Sequence, residues 1–237
     1  GGVVGDVAGF VAATYLRGID FALCPTTLLS MVDSSIGGKT GVDLPEGKNL
    51  LGAFHQPRAI CMDVKFLGTL PPEQFRQGMA AVIKTALLGD EILWHYLETH
   101  GRELEKRDGE ALLRVVSACC MVKARVVEQD ERESGLRRVL NLGHTVGHAI
   151  EMLSDYRIAH GDAVSMGLAA AARLAARLGR GGTDLEARLE RLCTAWELPT
   201  RIPRDFAPER IAQALLTDKK RFGTKLHFIL PVAIGEV

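Results

Sequence analysis

The sequence predicts an α/β nucleotide-binding domain, Rossmann-like and incomplete, followed by a mostly α-helical domain. Three observations predict it. A glycine-rich stretch, Gly1-Gly2-Val3-Val4-Gly5-Asp6, runs into small apolar residues at helical spacing. Short apolar runs at 20–24 and 58–64 are bounded by turn residues, as brief buried strands are. Beyond residue 70 the pattern changes to helical periodicity over 73–99, 109–130, 141–154, 161–180, 184–196 and 208–218. That shift divides the chain into 1–70, the C-terminal part of an α/β domain, and 71–237, a helical domain.

Residues 1–18 read as a glycine-rich turn feeding a helix, with Asp6 as a candidate cap. The small residues from Val7 to Ala13 let that helix lie close to a sheet. Glycines at a helix start let backbone N–H groups approach a pyrophosphate. The spacing is not G-x-G-x-x-G, and glycine-rich turns are common, so the turn alone does not establish a nucleotide role. No strand precedes it, and 228–237 stops in apolar, strand-like sequence. The chain is therefore expected to be truncated at both ends.

The run 20–24 reads as a strand ending at Pro25, after which Thr26 or Thr27 caps a helix. Hydroxyls at a strand's carboxyl end sit where open α/β sheets bind ligands. Residues 36–41 resemble a phosphate loop without its spacing. Lys39 and Lys48 fall on glycine-rich loops flanking Val42-Asp43, where they either meet an anion or stay solvated. Pro71-Pro72-Glu73 opens the first long helix. Helix 109–130 carries Lys123 and Arg125, and Lys123 is expected to leave a buried face toward a cleft. The charged loop 131–138 follows, with Glu131 and Arg132 read as solvated. Asp218-Lys219-Lys220 closes a helix, where cations suit the dipole. Residues 226–234 read as a strand pair or an extended tail.

Formal net charge is zero, so no global field draws in nucleic acid or a membrane surface. No apolar run reaches membrane-spanning length, and no signal peptide is visible. The five cysteines are odd in number and lack paired spacing, which points to a reducing, cytoplasmic setting.

The stretch 141–162 carries the most chemistry. His144 and His148 are four apart and share a helix face, with Glu151 about a turn further on. His160 follows a short polar break. Three imidazoles and a carboxylate suffice for a divalent-metal site. The alternative is a helix whose polar groups are simply hydrogen-bonded. A metal combined with loop cations suggests a small substrate that is phosphorylated and hydroxylated.

Several long motifs carry a resemblance. They are Gly1 to Phe10, Pro25-Thr26-Thr27-Leu28-Leu29, Val32-Asp33-Ser34-Ser35-Ile36-Gly37-Gly38-Lys39-Thr40-Gly41, Gly47-Lys48-Asn49, Gly78-Met79-Ala80, Leu140 to Ala149 and His160-Gly161. Together they resemble the sugar-phosphate cyclases, and among these the 3-dehydroquinate synthase family. The resemblance implies an NAD-binding α/β domain, a helical domain and a divalent metal, zinc or cobalt. It implies conversion of 3-deoxy-D-arabino-heptulosonate 7-phosphate to 3-dehydroquinate and phosphate, usually in a homodimer. Gly2, Val3 and Asp6 match the pyrophosphate turn. Thr26, Thr27, Asp33, Lys39, Lys48, Asn49 and Thr69 match other cofactor-lining positions, with Asp33 and Lys39 also facing substrate. Lys84, Lys123, Arg137 and Asn141 match substrate-binding positions, as does one of Lys219 and Lys220. His144 and His160 match metal ligands, and His148 matches a substrate-contacting residue.

One position departs from the family pattern. After Gly78-Met79-Ala80 the resemblance leads to a glutamate, the third metal ligand, and this sequence has Ala81. An isolated change, compensation by water, substrate hydroxyls or Glu151, and a catalytically impaired homologue are the three readings. Another cyclase, of inosose or valiolone type, is the nearest functional alternative; Lys123, Arg137 and Asn141 favour the shikimate-type substrate.

Overall fold

The computed structural model describes residues 1–44, 47–182, 184–222 and 227–237, without the side chains of 47–49 and 217–222. The chain forms two compact units, each discontinuous in sequence. One comprises Gly1–Gly78 with Arg102–Arg137, the other Met79–Gly101 with Arg138–Val237.

The first unit begins with α1 (Gly2–Thr14), so the glycine-rich stretch is itself helical. Neither Gly2 nor Gly5 has positive φ. Gly1 takes the N-cap position, and Asp6 lies a turn inside the helix instead of capping it. Small residues serve the packing: α1 lies on the strand β2 (Lys39–Leu44), with Gly9 and Ala12 buried. β2 pairs antiparallel with β3 (Gly47–Phe54), Lys39 opposite Phe54 and Gly41 opposite Gly52. Lys39 is therefore a strand residue, which corrects the loop expected from its glycines. The ladder satisfies the backbone groups that a loop would leave to water.

A second, parallel pair joins β1 (Ala22–Leu23) to β4 (Ala59–Ile60), both shorter than the apolar runs containing them. Between them, Thr27 is the threonine that caps. Its Oγ1 accepts from the Ser30 N–H at 3.2 Å, opening the π-helical turn Ser30–Ser34. A 3-10 helix, Val64–Thr69, replaces the end of the expected strand, because Asp63 accepts from the Lys65 N–H at 2.9 Å and turns the chain. α2 (Pro72–Gly89) leaves this unit. α5 (Gly109–Gln129) returns to it behind Asp108, whose carboxylate accepts from the Ala111 N–H at 2.9 Å. α5 packs on the Ser30–Ser34 turn through Cys120 Sγ, 3.5 Å from the Met31 carbonyl.

The second unit is helical. Asp90 accepts from the Leu93 N–H at 2.8 Å and starts α3 (Glu91–Thr99), so the stretch read as one helix over 73–99 is two. α4 (Gly101–Glu105) follows in sequence, its residues from Arg102 on belonging to the first unit. α6 (His144–Leu153) and α7 (His160–Arg177) form the centre, with Val146, Ile150, Ala163 and Met166 packed under Phe206 and Phe228. α8 (Leu185–Ala195) joins α7 through Arg173, which bonds Glu186 at 2.9 Å and also meets Glu190. α9 (Pro208–Phe222) lies on α6. Near the chain end the described residues hold only an isolated bridge, Ala233 with Glu236, so of the two expectations the extended tail is the one that fits. The Gly235 N–H bonds the Leu87 carbonyl at 3.0 Å.

Among the described residues no helix is long and apolar enough to cross a membrane. All five cysteines are free thiols, Cys119 buried and Cys120 half-buried.

Candidate active site

The first unit gathers charge around the start of α1. Asp6 lines an open depression of about 220 Å³ together with Phe21, Ser34, Lys39, Thr40 and His55. Burial, reinforced by the Asp43 carboxylate and opposed by Lys123, pushes its carboxyl up to about 6. The folded protein thus holds the Asp6 proton more tightly than the unfolded chain does. Its contribution to stability is complete below the ordinary value of 3.8 and is lost as pH rises through about 6. Melting temperatures of the protein and of Asp6→Asn, followed from pH 4 to 7, should converge as pH falls and separate as it rises, with the unchanged protein losing more. Parallel curves would refute the assignment.

Lys123 is buried on α5, and its ammonium bonds both the backbone carbonyl and the carboxylate of Asp33. The sequence suggested a lysine leaving a buried face; the structure supplies its partner. Lys39 pairs with Glu133. In the charged loop, Glu131 and Arg132 are exposed as read, whereas Arg137 is only 1 % exposed. Its Nη2 donates to the Gly37 carbonyl at 2.8 Å and its Nη1 to that of Glu131. Gly37 has φ +106, and a Cβ there would stand 2.3 Å from Arg137 Nη2, so the close approach requires glycine.

The N–H groups at the start of α1 suit an anion. Gly5 donates to the Gly1 carbonyl at 3.3 Å, and the first-turn N–H groups of a helix have no partner within the helix itself. Gly2 lies against Ser34, with room at 3.2 Å from Oγ for no more than a Cβ, while Val3 is exposed. Thr26 is half-buried, and Thr69 is exposed with its hydroxyl on the Phe66 carbonyl at 3.3 Å. Lys48 and Asn49 are in β3, but their side chains lie outside the described residues, as do those of Lys219 and Lys220 in α9.

The second unit brings the three imidazoles together. His144 and His148 stand on one face of α6, ring centres 5.3 Å apart, and His160 at the head of α7 lies 5.4 Å from His144 and 6.4 Å from His148. His144 Nδ1 lies 3.1 Å from the Leu142 carbonyl, and His160 Nδ1 lies 3.3 Å from the buried Glu151 carboxylate. An N–H on each Nδ1 leaves each Nε2 a lone pair, the arrangement in which oxygen partners orient metal-binding imidazoles. The donor set stops short, however. Among the described residues no three His, Cys, Asp or Glu side chains form a group that could hold a metal ion. Ala81 is a buried wall of α2, 4 % exposed. The residues fit two nitrogen ligands of a divalent ion but not a closed three-ligand site. Lys84 is buried on α2, and Asn141 ends the 3-10 helix Leu136–Asn141.

Sequence reasoning did not single out Asp130 or treat Glu133 as more than part of a charge run. The Asp-x-x-x-Ser-Gly spacing after α5 was the available signal, since an aspartate at a helix end commonly binds the next free N–H groups.

Two family models cover the chain. 3-Dehydroquinate synthase N-terminal matches residues 1–77, and 3-dehydroquinate synthase C-terminal matches residues 78–221. A curated 3-dehydroquinate synthase of Geobacter metallireducens is 51% identical over 236 residues, which is 99% of this chain and 65% of the relative. The chain thus spans just under two thirds of that relative's length. Among solved structures, the 2-epi-5-epi-valiolone synthase ValA from Streptomyces hygroscopicus, with NAD⁺ and Zn²⁺ bound, aligns with TM-score 0.92 at 32% identity, covering 100% of this chain and 66% of that one. A 2-deoxy-scyllo-inosose synthase complexed with carbaglucose-6-phosphate, NAD⁺ and Co²⁺ aligns with TM-score 0.87 at 30% identity, over 100% and 66%.

Proposed function

The chain belongs to the 3-dehydroquinate synthase family, and from that membership we propose that it converts 3-deoxy-D-arabino-heptulosonate 7-phosphate to 3-dehydroquinate and phosphate as a carbon–oxygen lyase. The observation that carries this reading is the gap in identity: 51% to a curated 3-dehydroquinate synthase against 32% and 30% to the valiolone and inosose cyclases. When bound, NAD⁺ would take and return hydride at the ring carbinol, and a divalent ion would polarise the oxygen there.

The chain's own residues have separate tasks. The start of α1, at Gly2 and Val3, would receive the cofactor's pyrophosphate, with Asp6 beside it. Thr26, Thr27, Asp33, Lys39, Lys48, Asn49 and Thr69 complete the proposed lining. His144 and His160 would hold the ion through Nε2, and His148, the exposed member of the cluster, is left for substrate. Lys84, Lys123, Arg137 and Asn141 would bind the substrate's anionic and hydroxyl oxygens, and one of Lys219 and Lys220 would join them. Lys123 is ion-paired with the Asp33 carboxylate, which suits it to binding and orienting substrate rather than to acting as a base. The free thiols support a reducing cytoplasmic setting; the reading takes a homodimer as the assembly, with no nucleic-acid or membrane partner.

A second reading, a catalytically impaired homologue, is favoured by Ala81 alone. The test is phosphate release with NAD⁺ and Zn²⁺ or Co²⁺, offering the heptulosonate phosphate, a hexose phosphate and sedoheptulose 7-phosphate in parallel. Release from the first alone is expected. Release only from another sugar phosphate would move the protein to a different cyclase, and none from any, with no retained metal, would favour the impaired homologue.

A further inference from the structure

Arg137 raises a physical question. A buried guanidinium normally needs a full set of partners, and this one has two carbonyls, while its Nε has no hydrogen-bond partner among the described residues. Burial pulls its pKa down; Glu133, Asp130, Asp33 and Glu131 counter that from a distance. Two carbonyl bonds do not offset removing a cation from water. The backbone around the guanidinium must therefore hold it in place.

Asp130 does this at the C-terminal end of α5. One carboxylate oxygen accepts from the Ser134 N–H at 2.8 Å and the Ser134 hydroxyl at 3.0 Å. The other accepts from the Gly135 N–H at 2.8 Å and from the N–H of Arg137 itself at 3.0 Å. The loop it closes includes Glu133 in the left-handed region, φ 58, a conformation a non-glycine residue keeps only when its surroundings enforce it. The loop's other ties, Lys39 to Glu133 and Gln56 to Glu131 at 2.9 Å, are more exposed and correspondingly weak. Asp130 is buried, and its four donors, those of Arg137 and Gly135 foremost, hold its carboxyl well below the usual carboxylate range.

We propose that Asp130 is a positioning residue, whose carboxylate sets the path of residues 130–137 and so delivers the Arg137 guanidinium to its seat against Gly37. This rests on the reading of Arg137 as a substrate-binding group. Asp130→Asn keeps the size but turns an amide toward two backbone donors. It should raise KM for the heptulosonate phosphate about tenfold, with kcat changed less than about twofold, because binding common to ground and transition states is what is lost. Affinity for NAD⁺ should not change. Ser134→Ala, a milder lesion that removes one of the four bonds, should raise KM about two- to threefold and keeps the test available if Asp130→Asn fails to fold.

The deciding measurement is the double-mutant cycle. In an Arg137→Lys background, either change should add less than about twofold, since the group being positioned is gone. Equal rises in both backgrounds, or an unchanged KM for Asp130→Asn and Ser134→Ala alongside a raised KM for Arg137→Lys, would overturn the role of Asp130 alone. An Arg137→Lys protein with unchanged KM would overturn the assignment of Arg137 and this proposal with it.

Discussion

Gly167→Ala is expected to part α6 from α7 and dismantle the histidine cluster. A Cβ on Gly167 would stand 1.9 Å from the Gly143 carbonyl oxygen, 2.8 Å from its carbon and 3.1 Å from the Gly147 nitrogen. All three are backbone atoms, so no side chain can swing aside. Overpacking of a core ordinarily costs about 1–3 kcal/mol, and a clash of two main chains belongs at or above the top of that range. For a domain of this size about 3 kcal/mol lowers Tm by roughly 6–12 °C. Because α6 carries His144 and His148 and α7 begins at His160, affinity for Zn²⁺ or Co²⁺ should fall with it. Gly68→Ala, where a Cβ would meet nothing within 4 Å, is the control. Thermal melts and cobalt titration of both variants decide the matter, and a Gly167→Ala protein that melts with the control would show that the two helices separate at little cost.

Ala81→Glu should act in opposite directions with and without metal. Residue 81 is buried within α2, so an added carboxylate lacking a cation would be desolvated without compensation, and the metal-free variant should melt below the parent. With zinc present, the family resemblance gives this carboxylate a task as the third protein ligand. Loss of outer hydrogen-bond partners typically weakens metal binding about 10–100-fold, and a direct ligand should count for at least the upper figure. Zinc affinity is thus expected to tighten about 100-fold. Metal present at 100 times Kd adds about 2.7 kcal/mol of stability, enough to reverse the loss in the melt. Ala81→Gln, which lacks the charge, should reproduce the destabilisation without the rescue. Chelator-competition titrations giving equal zinc affinities for the parent and Ala81→Glu would sink the idea that residue 81 faces the ion.

Much of the helical unit was legible because its signals are local. The i, i+4 spacing of His144 and His148 places both on one face of α6, and the apolar periodicity over 109–130 marks α5 almost to its ends. The break at Asp90 escaped a reading by periodicity, since α2 and α3 are both amphipathic and only the cap separates them. In the α/β unit, glycines suggested loops at 36–41 and a turn at 1–6. There the ladder between β2 and β3 and the packing of α1 outweighed glycine's freedom, leaving the positive φ to Gly37 and Gly38.

The order of residues alone decided which chemical groups the protein possesses and which of them share a helix face, including the alanine at 81. It also decided that His160 begins a helix shortly after Glu151, within reach of it. Folding decided which distant groups meet. Lys123 finds Asp33 across 90 residues and Arg137 finds the Gly37 carbonyl across 100. No periodicity reports such pairs, because they arise when separate elements pack, and the cost of burying each charge is met only by partners that the packed state brings up.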